Sequence, residues 1–293
     1  WFSRSTYWHP RWTTESRASI RTVTPPFVSG VARTWPSTTV AAPGQRASGS
    51  SSSHSIDGAV VPVASVANKK YTPDPAADYR LRIFTPGDEL PFAGHPTLGS
   101  AHAWLEAGGV RAGEDVVQEC SAGLVRIRRA ERLAFAAPPL VRSGPVSDED
   151  AEAIASALRI PRSDVVDTAW VDNGPGWVGV LLADAEAVLA LQPDWAAFGG
   201  LDIGVVGPYP AGGPADVEVR AFCPGLGITE DPVTGSLNAG LGQWLAGDRL
   251  PSSYVASQGT ALQRAGRVHV VREGQEVWVG GDTRTTVAGT VAL

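Results

Sequence analysis

Two stretches of this chain share one pattern, and that pattern limits what the chain can become. Arg82 to Gly109 reads RIFTPGDELPFAGHPTLGSAHAWLEAGG, and Arg220 to Gly247 reads RAFCPGLGITEDPVTGSLNAGLGQWLAG. Both follow R-x-F-x-P-G, then a loop, then [His/Asp]-Pro-x-x-Gly-Ser, then a helix of small residues that stops at glycine. A chain built twice calls for two similar halves related by a pseudo-twofold axis, with each half supplying the same element to whatever lies between them.

Each copy has its own local grammar. Tyr79 to Phe84 alternates as a half-buried strand, and Pro86-Gly87 turns it. Pro96 falls at the first helical position, with His95 near the N-cap, and Gly108-Gly109 ends the helix. Leu98, Ala101 and Leu105 share one face, which marks a packed helix. Downstream, Val217 to Phe222 reads as the matching strand and Thr234 to Leu245 as the matching helix. Aligned on [His/Asp]-Pro-x-x-Gly-Ser, His95 is the counterpart of Asp231 and Ser100 that of Ser236.

Between and after the copies, short strands dominate: Val116 to Cys120, Leu124 to Arg128, Leu133 to Ala136, segments on either side of Asp172-Asn173-Gly174-Pro175-Gly176, Ile203 to Val206, and hairpin strands from Arg267 to Leu293. Helices are expected over Ala151 to Leu158, opened by the acids Asp148 to Asp150, and over Asp184 to Leu191. Many strands with few embedded helices indicate an α+β fold of two pseudo-twofold lobes. A chain of 293 residues has room for both. The division expected is residues 1–125, completed by 284–293, against 126–283.

Residues 1–70 break the grammar. Arg4, Arg11, Arg17, Arg21, Arg33, Arg46, Lys69 and Lys70 face only Glu15 and Asp57, tryptophans recur without period, and Ser48 to Ser55 is low complexity. Ala59 to Val66 reads as one short strand. Three readings stay open for this region: a basic arm, a segment folded by tertiary contacts, or the product of a shifted reading frame. The sequence has no Met, so the printed start is not expected to be the native one.

The totals exclude several functions. A net charge of −6 argues against nucleic acid or an anionic membrane as partner and leaves a small molecule. Two cysteines, Cys120 and Cys223, form no disulfide framework or metal motif. No apolar run approaches membrane-spanning length, and the first residues lack the apolar core and small-residue cleavage site of a secretory signal, so a cytoplasmic location is expected.

The chemistry points to the two helix starts. Unpaired N–H groups and the positive end of the dipole make each a place for a carboxylate. His95 suits proton transfer near neutral pH, and Asp231 suits it when burial tunes its carboxyl. Each has a structural alternative as a polar N-cap, and Ser236 has one as a small helix residue. Any one of the loop acids Asp88, Glu89 and Glu230 could orient or deprotonate a substrate, although a solvated loop acid is the commoner outcome, and His102 reads as a core-edge residue. No spacing suits a metal, and no glycine-rich nucleotide loop or nucleophile elbow is present, so neither metal nor cofactor is expected.

Phe92-Ala93-Gly94-His95-Pro96-Thr97-Leu98-Gly99 and Glu230-Asp231-Pro232-Val233-Thr234-Gly235-Ser236 together resemble the phenazine-biosynthesis isomerase (PhzF-like) family, which is similar in fold to diaminopimelate epimerase. The resemblance runs from about Asp78 to Leu293. It implies two lobes, each a barrel-like sheet around a central helix, a cleft between them, and a homodimer. It implies cofactor-free movement of a proton on a small carboxylate-bearing metabolite. The catalytic positions it marks are His95, Asp231 and Ser236, with Gly94, Thr97, Asn173, Thr234, Gly235 and Gln258 as substrate-binding positions. No cysteine stands at the motif positions, which argues against thiol-based racemisation. One departure is sharp: the family's glutamate, expected in an Asn-x-x-Glu strand ahead of the first copy, meets Asn68-Lys69-Lys70-Tyr71. Impaired turnover is therefore expected, and a non-catalytic small-anion binder on the same scaffold is the alternative.

Overall fold

The computed structural model describes residues 17–24, 38–41, 63–68, 74–84, 89–226 and 228–292. Its first half runs β1 (Arg17–Thr24), β2 (Thr38–Ala41), β3 (Val63–Asn68), β4 (Tyr79–Phe84), the short β5 (Glu89–Leu90), α1 (Gly94–Glu106), β6 (Val116–Cys120), β7 (Gly123–Arg129) and β8 (Leu133–Ala136). The second runs β9 (Arg142–Pro145), α2 (Asp148–Leu158), β10 (Val165–Asp172), β11 (Trp177–Leu182), α3 (Ala185–Ala190), β12 (Asp202–Pro208), β13 (Val217–Phe222), β14 (Glu230–Asp231), α4 (Gly235–Leu245), β15 (Ser253–Gln258), β16 (Gly266–Glu273) and β17 (Glu276–Gly281). β18 (Arg284–Ala292) then returns to the first half and pairs antiparallel with β1.

The described strands form one continuous sheet of 18. Both repeats have the same topology inside it. β4 turns into β5, passes through α1 and continues in β6, which lies parallel to β4. β13 turns into β14, passes through α4 and continues in β15, parallel to β13. A parallel pair needs a crossover long enough to hold a helix, and in each half that crossover is the repeat helix. Antiparallel pairing of β8 with β17 joins the halves.

Small residues let strands close around both helices. α4 buries Leu237, Ala239, Leu241 and Leu245, yet Gly240 and Gly242 are buried as well. A methyl on Gly240 would lie 2.2 Å from the Val171 carbonyl oxygen. These helices are enclosed and not amphipathic, which is why periodicity alone describes them poorly. One apolar core surrounds them both. A second, with Ile154, Leu158, Phe198 and Phe222, lies beneath α2 and α3.

Most expected elements stand where the sequence put them. Ser147 caps α2 by accepting from the Asp150 N–H, and Asp184 caps α3 by accepting from Ala187. The strand expected over Ala59 to Val66 is β3, shifted to Val63–Asn68. β1 and β2 arise in a region with no readable period; the rest of residues 1–70 lies outside the described residues. Besides β1, β2 and the two-residue β5 and β14, two strands are not expected from the sequence. β9 contains Ser143-Gly144-Pro145, whose glycine and proline mark a connection in the sequence, with Gly144 at φ 99° on strand residues that are mostly exposed. β15, SYVASQ, was passed over although Tyr254 and Ala256 alternate inward.

Candidate active site

The site is built where the two repeat helices begin. The strand register corrects the alignment of the copies: Phe84 pairs with Glu89 and Phe222 pairs with Glu230. In both, an arginine two residues before the phenylalanine grips the glutamate with two hydrogen bonds, Arg82 to Glu89 at 2.9 and 2.6 Å and Arg220 to Glu230 at 3.0 and 2.8 Å. From each glutamate the chain reads Glu-x-Pro-x-x-Gly, and the glycine opens the helix. His95 is therefore the counterpart of Ser236, and Asp231 that of Leu90. The pairing of His95 with Asp231, and of Ser100 with Ser236, came from a second Pro-x-x-Gly match displaced by five positions from the structural one.

Those opening glycines touch. A methyl on Gly94 would be 2.7 Å from the Gly235 Cα, so only hydrogen at both positions lets the helix starts approach this closely. Neither helix is closed by a side chain: Ala93 and Thr234 are the N-caps, and neither side chain makes a capping hydrogen bond. The first-turn N–H groups of both helices thus have no N-cap side-chain acceptor, and the positive ends of both dipoles meet here. His95 lies inside the first turn and is no cap, so that structural alternative falls away.

A cleft of about 570 Å³, including open solvent at its mouth, is lined by Gly94, His95, Phe135, Val233 and Gly235 at this end. Burial holds the His95 imidazole below the ordinary histidine range, in its neutral form. Asp231 accepts from the Thr234 hydroxyl at 2.6 Å. Burial raises its carboxyl to about 6, against the lowering effect of its hydrogen bonds from Thr234 and the Val233 N–H.

The other expected positions divide into two groups. Gly94 and Gly235 line the cleft. Thr97, Asn173, Thr234, Ser236 and Gln258 are buried and bonded to protein. The Trp177 indole N–H donates to the Ser236 hydroxyl at 3.0 Å, and the Asn173 amide donates to the Ser236 carbonyl at 2.8 Å. Thr97 accepts from the Gln118 amide. The Gln258 amide donates to the Asp231 carbonyl and the Thr234 hydroxyl, and its oxygen accepts from the Thr234 N–H and the Asn238 amide. It frames the α4 start rather than facing the cleft.

Sequence reasoning missed other residues bordering the cleft, which include Arg267, Asp282 and Thr283. These come from β16 and the end of β17, strands that were legible but whose facing was not. His102 bridges Thr283 and Thr285 at 3.1 Å each, and so sits at the edge of the core. Both thiols are held up by burial, Cys223 also by Asp231, Asp202 and Glu230, which keeps them protonated. Among the described residues no group of three His, Cys, Asp or Glu side chains could hold a metal, and no helix is long and apolar enough to cross a membrane. β3 carries no carboxylate, and Lys69 to Pro73 lies outside the described residues.

Comparison with known proteins agrees with this architecture. The sequence profile of the PhzC-PhzF family, described as "Phenazine biosynthesis-like protein", matches residues 69–293. Antisense-enhancing sequence 1 of Schizosaccharomyces pombe is 33% identical over 237 residues, covering 73% of this chain and 79% of that protein. An uncharacterized isomerase of Pseudomonas aeruginosa is 32% identical over 216 residues, covering 73% and 78%. Among solved structures, a PhzF-family phenazine biosynthesis protein of Enterococcus faecalis superposes with a TM-score of 0.69 at 21% identity, over 95% of this chain and all of that one.

Proposed function

Because this chain belongs to the phenazine biosynthesis-like (PhzC-PhzF) family, we propose that it is a cofactor-independent isomerase that moves a proton within a small carboxylate-bearing metabolite. The observation that carries this reading is the meeting of two uncapped helix starts at Gly94 and Gly235, beside His95. The substrate carboxylate accepts from the first-turn N–H groups of α1 and α4, which fixes the carbon next to it. His95 is the proton carrier: neutral, half-buried and on the cleft wall, it takes a proton from that carbon or returns one. Asp231, with a carboxyl at about 6, exchanges protons readily near neutral pH. Ser236 and Asn173 keep the first turn of α4 in place.

Proton movement needs a second acid or base on the opposite side of the reacting carbon. In the segment where the resemblance expects a glutamate, Val63 to Tyr71 reads VASVANKKY, without a carboxylate. Turnover is therefore weak compared with relatives that carry one. The names of the isomerase relatives favour this over a binder without turnover.

The test is solvent exchange. Small amino and hydroxy acids incubated with the protein in D2O should gain deuterium at the carbon beside the carboxylate, and His95→Asn should slow this by about a hundredfold or more. Exchange that His95→Asn leaves untouched would remove His95 as the carrier. The absence of exchange into any such acid, with carboxylate binding intact, would leave a carboxylate-binding cleft without the reaction.

A further inference from the structure

Past the two helix starts the cleft changes character. On α1 it follows one face, His95, Leu98 and Gly99, which spans about 6 Å along the helix axis. Opposite Leu98 stand Phe135 of β8, Val268 of β16 and Val279 of β17. The strand register puts these side chains on the inner face of the sheet: Phe135 pairs with Val279, and Val268 pairs with the buried Ala256. All four belong to the apolar core around the two helices. A methyl on Gly94 would lie 2.8 Å from the Phe135 ring, so the apolar wall begins at the helix start itself.

The polar side chains that border this stretch are turned away or already bonded. Ser257 pairs with Arg267 and Ala256 with Val268, so the guanidinium leaves on the face opposite Val268. There its Nη1 donates to the Ser257 hydroxyl at 3.0 Å and to the Gly266 carbonyl at 2.8 Å. The Thr283 hydroxyl bonds the His102 ring at 3.1 Å. Arg132 holds the Asp282 carboxylate at 3.3 Å, and that side chain is 53% exposed. A polar group carried past His95 would therefore exchange water for hydrocarbon and find no partner, which is costly.

We propose that the acid handled by this cleft is apolar beyond its reacting carbon, and that its hydrocarbon chain or ring is seated between Leu98, Phe135, Val268 and Val279. Its carboxylate accepts at the starts of α1 and α4, the next carbon lies beside His95, and the remainder leaves water for the apolar wall. The inference rests on the carboxylate grip proposed above and adds the substrate class that the grip alone does not specify.

Calorimetric titration reads the two ideas separately and without turnover. The probes are the straight-chain acids from acetate to hexanoate, with 5-hydroxypentanoate as the polar isostere of hexanoate and hexanamide as its uncharged counterpart. Each added CH2 should tighten binding by about threefold, and 5-hydroxypentanoate should bind about tenfold or more weakly than hexanoate. Leu98→Asn should flatten the chain-length series. Val268→Thr, which keeps the side chain's shape and adds a hydroxyl, should shrink the margin over 5-hydroxypentanoate, and it decides alone where Leu98→Asn does not fold. A flat series in the unaltered protein, or a margin that Val268→Thr leaves whole, overturns the apolar seat and lets the grip stand. Hexanamide binding as tightly as hexanoate overturns the grip instead, and an acid substrate with it. If no probe binds the unaltered protein, both fall.

Discussion

A methyl group on Gly94 would lie 2.7 Å from the Gly235 Cα, and one on Gly235 would lie 2.8 Å from the Gly94 Cα. Backbone obstructs in both directions, joined at Gly94 by the Phe135 ring at 2.8 Å, so a larger residue at either position must drive the helix starts apart. Gly94→Ala or Gly235→Ala should lower stability by about 1–3 kcal/mol and should abolish carboxylate binding by separating the N–H groups. Gly113, with nothing within 4 Å of an added methyl, is the control. Thermal melts and calorimetry on the three variants decide it; unchanged binding in Gly94→Ala would mean that the close approach has no part in ligand capture.

Asp231 makes stability depend on pH in a definite direction. Its carboxyl lies near 3.8 when unperturbed and at about 6 in the folded protein, raised mainly by burial. Below pH 4 both folded and unfolded forms are protonated and nothing is lost. Between about 4 and 6 the unfolded chain ionises first, so stability falls as pH rises, and above 6 the full penalty of about 3 kcal/mol applies. Asp231→Asn removes that penalty. Its stability relative to the unaltered protein should climb from pH 4 to 6 and then stay level, on top of a constant cost for altered hydrogen bonds. Chemical denaturation across pH 4–8 measures this. Asp202, raised to about 7 by burial and by Asp172, should give the same curve ending one pH unit higher in Asp202→Asn.

These relationships were unevenly legible in the sequence. The repeat, the helix at His95 and the end hairpins could be read because turn residues and alternation act over a few positions. The register between the copies could not, because two Pro-x-x-Gly matches overlap and only the Arg82–Glu89 and Arg220–Glu230 pairs show which is structural. Gln258 reaches Asp231 across 27 positions through a parallel strand, β15, that the chain's punctuation does not mark. Arg267, Asp282 and Thr283 border the cleft at the ends of visible strands, but alternation does not say where a cleft opens. β1 and β2 owe their place to pairing with β18 and each other, a long-range cause that leaves no local period.

Gln258 invites a test of framing against binding. All four of its hydrogen bonds go to Asp231, Thr234 and Asn238, at 2.9 to 3.0 Å. Gln258→Ala leaves the Thr234 N–H without an acceptor and the Asn238 amide with the Thr234 carbonyl alone, in a buried site. A loss of about 2–4 kcal/mol should follow, with the α4 start loosened. Hydrogen exchange at the Gly235 and Ser236 amides should rise in the unliganded protein. A side chain that only touched substrate would leave both measurements unchanged, so an unaltered exchange rate would return Gln258 to the list of ligand contacts.

The two arginine–glutamate pairs place one interaction in two environments, so the pseudo-twofold supplies its own control. Arg82 and Glu89 are 52% and 29% exposed at their side chains, whereas Arg220 and Glu230 are 7% and 5% exposed. Water screens the first pair, and its loss in Arg82→Met should cost no more than about 1 kcal/mol. The second pair is out of water, and Arg220 also donates to the carbonyls of Val188 and Leu191. Arg220→Met strands Glu230 as a buried charge and takes a donor from both carbonyls, leaving the Val188 carbonyl only its bond from the Leu191 N–H, which should cost about 3–5 kcal/mol. The double change Arg220→Met with Glu230→Leu should recover part of the loss, because it removes the stranded charge. Equal costs for Arg82→Met and Arg220→Met would mean that the hairpin geometry, common to both halves, sets the energy and that burial does not.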